Sequence, residues 1–329
     1  MSERDLEIIR LLADGALHSG EDIAGRLGIS RAAVCKAVRK AADALDLDVE
    51  AQRGRGYRLR QPLELLDADR IVAALPAPAR ELIRAVLVLE DVGSTNDWLS
   101  RRAAAGEPGG VVCLAERQHA GRGRHGRGWV SPFGSNLYLS MLWRYPLAPA
   151  QLGGLSLAAG VAVARALRGA GADGIGLKWP NDLHWRRRKI GGLLLEVAGE
   201  SQGPSRVVAG VGINLRLDPA RAQAIDQPWT DLATVLGAEP PQPRRNAIAA
   251  AVIAELALVQ RRFASDGLAP FLAAWRELDA YLGEPVSVVL GEQRIDGIHA
   301  GVDADGALML ETDAGLRVFQ GGEVSLRGR

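Results

Sequence analysis

The sequence predicts an α+β multidomain chain: an N-terminal winged helix-turn-helix, a central α/β region on a mixed sheet, and a small C-terminal β-barrel. Three observations predict it. Residues 1–60 carry apolar positions at helical spacing, separated by caps and a glycine, and end in a short strand–turn–strand. From about 66 to 279, apolar strand-like runs are interspersed with longer helical ones. Residues 284–327 read as short β segments punctuated by Gly291, Gly297, Gly306 and Gly315. The expected divisions are 1–65, 66–279 and 280–329.

In the first part, Leu6, Ile9 and Leu12 have helical spacing, and Ser19 is placed to cap a short helix whose first turn holds Glu21 and Asp22. Gly28 breaks it, and Ser30 starts a second helix running to about Leu45. Counting from Gly20, the fifth residue is Ala24, the ninth Gly28 and the fifteenth Val34. This is the small–glycine–apolar spacing that lets two helices of a helix-turn-helix approach. Val49 to Leu59 then reads as a hairpin wing around Arg53-Gly54-Arg55-Gly56.

Charge follows the same plan. Residues 26–40 hold Arg26, Arg31, Lys36, Arg39 and Lys40 and no acid, and the wing holds Arg53, Arg55, Arg58 and Arg60. Arg31, Ala32 and Lys36 are expected to face bases, and Ser30, Arg39, Lys40, Arg53 and Arg55 are the other expected DNA contacts. A winged helix also serves as a protein–protein module, so the pattern alone leaves both uses open.

Gln61-Pro62 marks a linker. Strands are then expected at 84–89, 110–115, 136–143, 174–178, 190–197 and 206–213, and helices at 95–105, 151–168, 244–264 and 268–278. The 136–143 run alternates as a half-buried antiparallel strand should.

Composition sets the limits. The chain has 329 residues and is 47% hydrophobic, enough for more than one core. Its 24% charged content excludes a disordered or fibrous chain. Lys+Arg 40 against Asp+Glu 39 leaves +1, so a nucleic-acid surface must come from charge placement. Cys35 and Cys113 form no CxxC pair, which argues against a cysteine zinc site and excludes a disulfide framework. The N-terminus MSERDLEIIR is charged where a secretory signal needs an apolar core. The uncharged run from Tyr145 to Ala164 contains Pro146, Pro149 and glycines, and reads as a loop entering a buried helix. These features predict a soluble, cytoplasmic chain with no membrane partner.

The sharpest chemical feature is Gly121-Arg122-Gly123-Arg124-His125-Gly126-Arg127-Gly128-Trp129. Its glycines permit close backbone approach to a ligand, and its arginines offer forked donors to phosphate or carboxylate. It lacks GK[ST] and is not an NTPase P-loop. Lys178-Trp179-Pro180-Asn181-Asp182 reads as a turn with an amide and a carboxylate, followed by the basic run Arg186–Lys189 and then Ile190-Gly191-Gly192. Ser94-Thr95-Asn96 places three short hydrogen-bonding side chains at a helix start, and Gly210-Val211-Gly212-Ile213-Asn214 runs a strand into an asparagine.

Taken in order, these motifs resemble the biotin–protein ligase family, and most closely its bifunctional type with an N-terminal winged helix that represses the biotin operon. The resemblance also takes in Ser30-Arg31-Ala32-Ala33, Ser131-Pro132, Asn136-Leu137-Tyr138-Leu139-Ser140 and Gly321-Gly322-Glu323-Val324-Ser325-Leu326-Arg327, and so covers nearly the whole chain. It implies a class II synthetase-like central sheet and an SH3-like C-terminal barrel. One departure is His125, where bifunctional relatives can carry a second arginine; it lowers the loop's charge at neutral pH.

The resemblance implies ATP-dependent activation of biotin to biotinyl-5′-adenylate, then transfer to a lysine of the biotin carboxyl carrier protein. Lys189 would neutralise carboxylate and α-phosphate in the transition state, with Arg122 and Arg124 closing over the ligand. Ser94, Thr95, Asn96, Gln118, Gly121, Arg122, Gly123, Arg124, Lys189 and Gly192 would hold biotin. Arg122, Arg124, Trp129, Lys178, Asn181, Asp182, Lys189, Asn214, Trp229 and Arg327 would hold ATP or the adenylate, Asn214 and Trp229 facing adenine. Asp182 would help hold Mg²⁺. The implied partners are the carrier protein, operator DNA and, in the adenylate-bound state, a second copy. The alternatives are a ligase whose N-terminal module does not bind DNA, a lipoate ligase-like enzyme, and a metabolite-sensing repressor without catalysis.

Overall fold

A computed structural model describes residues 3–237, 244–321 and the backbone of 324–328. The first elements are α1 (Glu3–Leu12), α2 (Gly20–Leu27), α3 (Arg31–Leu45), β1 (Val49–Gln52) and β2 (Gly56–Leu59). Ser19 caps α2, its Oγ accepting from the Asp22 N–H at 3.0 Å. Gly28 closes α2 at φ 61°, a left-handed conformation that glycine adopts without strain. Ser30 occupies the N-cap position of α3 but makes no side-chain capping bond. Ile8, Ile9, Leu12, Ile23, Val34, Val38 and Leu45 form the core of this unit, and Phe133 from the central region packs into the same cluster.

The central elements are α4 (Ala68–Ala74), α5 (Ala77–Arg80), β3 (Ala85–Val92), α6 (Thr95–Ala104), β4 (Val111–Gln118), β5 (Leu137–Tyr145), α7 (Leu155–Gly169), β6 (Ile175–Lys178), β7 (Asp182–Trp185), β8 (Arg188–Gly199), β9 (Ser205–Ile213), α8 (Leu232–Leu236), α9 (Arg245–Asp266) and α10 (Ala269–Leu278). The strands form one seven-stranded mixed sheet in the order β3-β4-β5-β9-β8-β7-β6, with β3 and β4 parallel and the other pairs antiparallel.

Two expectations change here. β5 is buried along almost its whole length instead of alternating. It sits mid-sheet, with α9 packed on one face and α6 on the other, so both sets of side chains leave water. Asp182 opens a strand, β7, instead of closing a turn, and β8 starts early enough to include Lys189. Helix α7 with its leading turn, Pro149–Gly169, is long and apolar enough to cross a membrane by length and composition, yet 67% of that window is buried inside the protein against the sheet and α9.

The last strands are β10 (Pro285–Leu290), β11 (Gln293–Val302), β12 (Leu308–Thr312), β13 (Gly315–Phe319) and β14 (Val324–Gly328). They make a five-stranded antiparallel sheet in the order β13-β12-β11-β10-β14. Trp179 ties it to the central sheet, its indole N–H donating to the Gly306 carbonyl at 3.0 Å.

Candidate functional site

A cavity of about 290 Å³ opens over β8, β9, the start of α6 and the Gly/Arg loop. It gathers Ser94, Thr95, Asn96, Gln118, Arg122, Gly123, Arg124, Trp129, Lys178, Asn181, Asp182, Lys189, Gly192, Asn214 and Trp229, which the sequence had placed in one site. Gly121 lies just beneath the lining. A Cβ there would come 2.7 Å from Ser131 Oγ and 2.9 Å from the Trp129 carbonyl, so only glycine fits. The Arg327 backbone pairs with Ser287 on β10, and its side chain lies outside the described residues.

One end of the cavity is a buried hydrogen-bonding corner. Ser94 caps α6, and Ser94, Thr95 and Asn96 are 3%, 4% and 4% exposed. The Thr95 N–H and hydroxyl both donate to Gln118 Oε1, at 2.9 and 3.2 Å. Ser140 Oγ lies 2.6 Å from Asn96 Oδ1 and 2.7 Å from Thr95 Oγ1, and Asn96 Nδ2 donates to the Leu194 carbonyl at 3.1 Å. Gln118 Nε2 donates to Ser131 Oγ at 3.2 Å. The corner therefore presents fixed donors and acceptors in low dielectric. A small polar ring that can share these hydrogen bonds is favoured over an apolar one.

The opposite end is charged. Lys189 Nζ lies 2.8 Å from Asp182 Oδ1 and 5.6 Å from the Trp129 ring centroid. Burial pushes the Asp182 carboxyl up, but the Lys189 ammonium and then Lys178 outweigh it and hold the group below the usual range. A β-bulge between Leu183 and His184 sets Lys189 opposite His184, and so on the same face as Asp182, which stands opposite Gly192. Burial and the nearby Lys178 charge push His184 down to about 3, which keeps it neutral. The Lys189 N–H donates to the Pro228 carbonyl at 2.9 Å, stitching the 224–229 segment with Trp229 along the cavity rim.

The Gly/Arg loop is itself a small hairpin: Gly123 N–H to Arg127 O at 2.7 Å and Trp129 N–H to Gly121 O at 2.9 Å. His125 sits at φ 56°, a left-handed position that histidine occupies more readily than β-branched residues. Arg124 reaches Asn181 Oδ1 at 3.3 Å, and burial lowers its pKa while Asp182 opposes the shift. Arg122, by contrast, turns its guanidinium to Asp97 and to Glu196 Oε1 at 3.1 Å. In this state its charge is spent on protein carboxylates and not aimed at the Lys189 end.

Several contributors stand in or beside motifs singled out above but were given no role in the site there. Ser140 is fully buried and joins Thr95 to Asn96. Gly210 and Gly212 form the floor: a Cβ on the first would lie 2.2 Å from Asn96 Oδ1, and on the second 2.6 Å from the Trp129 ring. Their i, i+2 spacing on a strand was the available signal. Leu139, Leu193, Leu194 and Val211 line the same cavity. No group of three or more His, Cys, Asp or Glu comes together among the described residues. Asp182 therefore fits a cation only as one ligand among phosphate oxygens and water.

On the N-terminal unit, Ser30, Arg31, Ala32, Lys36 and Arg39 are exposed on α3, and Arg53 and Arg55 are exposed at the wing tip. Three expected cations are partly spent. Lys40 turns toward the buried Asp5 of α1, at 3.5 Å. Arg58 pairs with Glu50 at 2.8 Å and Arg60 with Asp48 at 2.7 Å across the hairpin.

Comparison with known proteins gives the family. Residues 88–214 match the Biotin/lipoate A/B protein ligase family, residues 281–327 the biotin protein ligase C-terminal domain, and residues 4–58 an HTH domain. The chain is 43% identical to the bifunctional ligase/repressor BirA of Salmonella typhimurium, over 98% of this chain and 97% of that protein. It is 41% identical to the Escherichia coli protein of the same name, with the same coverage. The solved structure of the biotin protein ligase from Aquifex aeolicus with biotin and ATP superposes with a TM-score of 0.64 at 28% identity, over 75% of this chain and 100% of that one. With this extent of identity along nearly its whole length, and with ligase, C-terminal and HTH parts all present, the chain belongs to the biotin–protein ligase family in its bifunctional ligase/repressor branch.

Proposed function

We propose that the chain is an ATP-dependent biotin–protein ligase and a biotin-responsive repressor. The observation that carries the ligase reading is the polarity of this cavity: a buried amide–hydroxyl corner at Ser94–Gln118 and an ammonium at Lys189, with an apolar wall and two glycines between. Biotin has the matching polarity, a ureido ring at one end and a carboxylate at the other.

In this reading the Thr95, Asn96 and Gln118 side chains pair the ureido group while Leu139 and Val211 meet the apolar chain. The carboxylate oxygen attacks the α-phosphorus of ATP as the bond to pyrophosphate breaks, and Lys189 offsets the negative charge that gathers there. Asp182 holds the Lys189 ammonium in place. Trp129 and the Gly/Arg loop cover the mixed anhydride from water. The amine of the carrier-protein lysine then attacks the acyl carbon and AMP leaves. No side chain of the protein forms a covalent bond. Asp182 would help hold Mg²⁺ on the nucleotide, where the ion would neutralise phosphate charge.

The exposed Arg31, Lys36 and Arg39, with Arg53 and Arg55 on the wing, support operator binding as a dimer on two half-sites. A chain that uses ATP and reads operator DNA works in the cytoplasm. The test is native mass spectrometry with Mg²⁺, ATP and biotin, and with lipoate in parallel. The expected result is retained biotinyl-adenylate and a shift from monomer to dimer. An adenylate formed with lipoate alone overturns the substrate; no adenylate with either overturns the enzyme.

A further inference from the structure

We infer that Tyr281 is a positioning residue for the nucleotide end of the site, acting through Lys178. The inference rests on the ligase reading above.

The geometry starts at the sheet edge. β6 is the edge strand, and the chain returns alongside it after α10: Leu177 bridges Asp279 in parallel, and the Ala280 N–H donates to the Leu177 carbonyl at 2.9 Å. The approach is close, since a Cβ on Gly176 would lie 2.9 Å from Ala280 Cβ. The next residue on β6 is Lys178, and the next on the returning segment is Tyr281. The Tyr281 ring therefore arrives beside the lysine stem, with Lys178 Nζ 5.6 Å from its centroid.

Tyr281 is held from every side that matters. Its hydroxyl lies 3.3 Å from His184 Nδ1, with the rings edge to face at 5.6 Å and 81°. Its N–H donates to Asp279 Oδ1 at 3.0 Å, and Asp279 Oδ2 meets His299 Nε2 at 2.7 Å, both groups being buried. The Arg187 guanidinium covers the ring at 4.4 Å and is anchored by Glu284 at 2.8 Å. The ring is thus fixed on β7 by His184, and the Tyr281 backbone is tied to β11 through the Asp279–His299 pair.

An ammonium on a four-carbon stem samples many rotamers and is strongly hydrated. An aromatic face within about 6 Å attracts it electrostatically and narrows that sampling. Lys178 lines the cavity at the Asp182 end, away from the Ser94–Gln118 corner. Tyr281 therefore governs where one cation meets the nucleotide, and leaves the ureido corner untouched. On this inference the C-terminal part of the chain reaches the nucleotide by setting a lysine of the central sheet.

The test is a steady-state and binding comparison of Tyr281→Leu, Tyr281→Phe, Lys178→Met and the double variant Y281L/K178M, in the full-length chain. Tyr281→Met, which keeps bulk but not the ring face, substitutes if Tyr281→Leu does not fold. The expected result is a rise of about five-fold or more in KM for ATP in Tyr281→Leu, with the Kd for biotin measured without ATP unchanged. Tyr281→Phe keeps the ring and recovers the ATP KM. The double variant is no worse than Lys178→Met alone, because both changes remove one interaction. Additive effects, or a biotin Kd that weakens in step with the ATP KM, overturn the inference and leave the ligase reading standing. A wild-type chain that neither binds biotin nor turns over ATP overturns both.

Discussion

Arg245 Nη1 lies 2.7 Å from Glu116 Oε2, with side chains only 1% and 4% exposed. The same guanidinium donates to the Glu64 carbonyl at 2.7 Å and to the Asn136 carbonyl at 2.9 Å, while Glu116 accepts from the Leu66 N–H. One buried pair therefore joins the linker, β4, the entry to β5 and the first residue of α9. Removing one partner strands the other charge in low dielectric. Arg245→Met is expected to cost about 3–5 kcal/mol in urea unfolding, and the double variant R245M/E116Q to recover part of it. A single variant within experimental error of wild type would remove the pair from the stability argument.

Phe133 completes the core of the winged helix although it belongs to the loop after the Gly/Arg hairpin, and it is 2% exposed. Phe133→Ala is expected to destabilise by about 3–5 kcal/mol, with the loss concentrated in residues 3–60. Hydrogen exchange checks the location. Deprotection of α1 to α3 ahead of the central sheet is the expected pattern, and uniform deprotection would contradict it.

Gly210 and Gly212 separate the two ends of the cavity. A methyl at 210 strikes Asn96 and a methyl at 212 strikes Trp129. Gly210→Ala is expected to weaken biotin binding about ten-fold or more by pushing the amide off its partners. Gly212→Ala is expected to displace the indole, measured as a change in tryptophan fluorescence of the ligand-free protein. Equal effects of the two on biotin Kd would contradict this division.

Cys113 is fully buried on β4 and Cys35 is exposed on α3. A thiol reagent is expected to modify Cys35 in the native protein and Cys113 only on unfolding. Burial pushes the Cys113 thiol from 9.0 up to about 12. Its folded value is raised, so its contribution to stability is complete below pH 9 and is lost as pH climbs toward about 12. The expected extra slope is about 1.4 kcal/mol per pH unit in that window. Cys113→Ala should show a shallower alkaline decline in Tm than wild type.

Local chemistry was legible where the chain alone carries it. Ser19 and Gly28 bound a helix because capping and left-handed φ are decided within a few residues. The Gly/Arg loop, Ser94–Asn96 and Lys178–Asp182 announced a site because forked cations, short hydroxyls and glycines have few other uses in such density. The family resemblance, extending along nearly the whole chain, let those separate motifs be assigned to one cavity.

Tertiary structure decided what depends on partners far away in sequence. β5 reads as an alternating strand, yet its mid-sheet place buries both faces. Arg122 reads as a ligand cation, yet Asp97 and Glu196 take its charge. Lys40 reads as a phosphate contact, yet Asp5 draws on it, and the wing's Arg58 and Arg60 pair with Glu50 and Asp48. Ser140, Gly210 and Phe133 acquire roles only when strands and loops meet. Which groups the protein owns and where its helices start and stop follow from residue order, because those are short-range effects. The fold alone decided which charges are spent, which side chains lose water and which cations face the ligand, because Coulomb attraction and burial act through space.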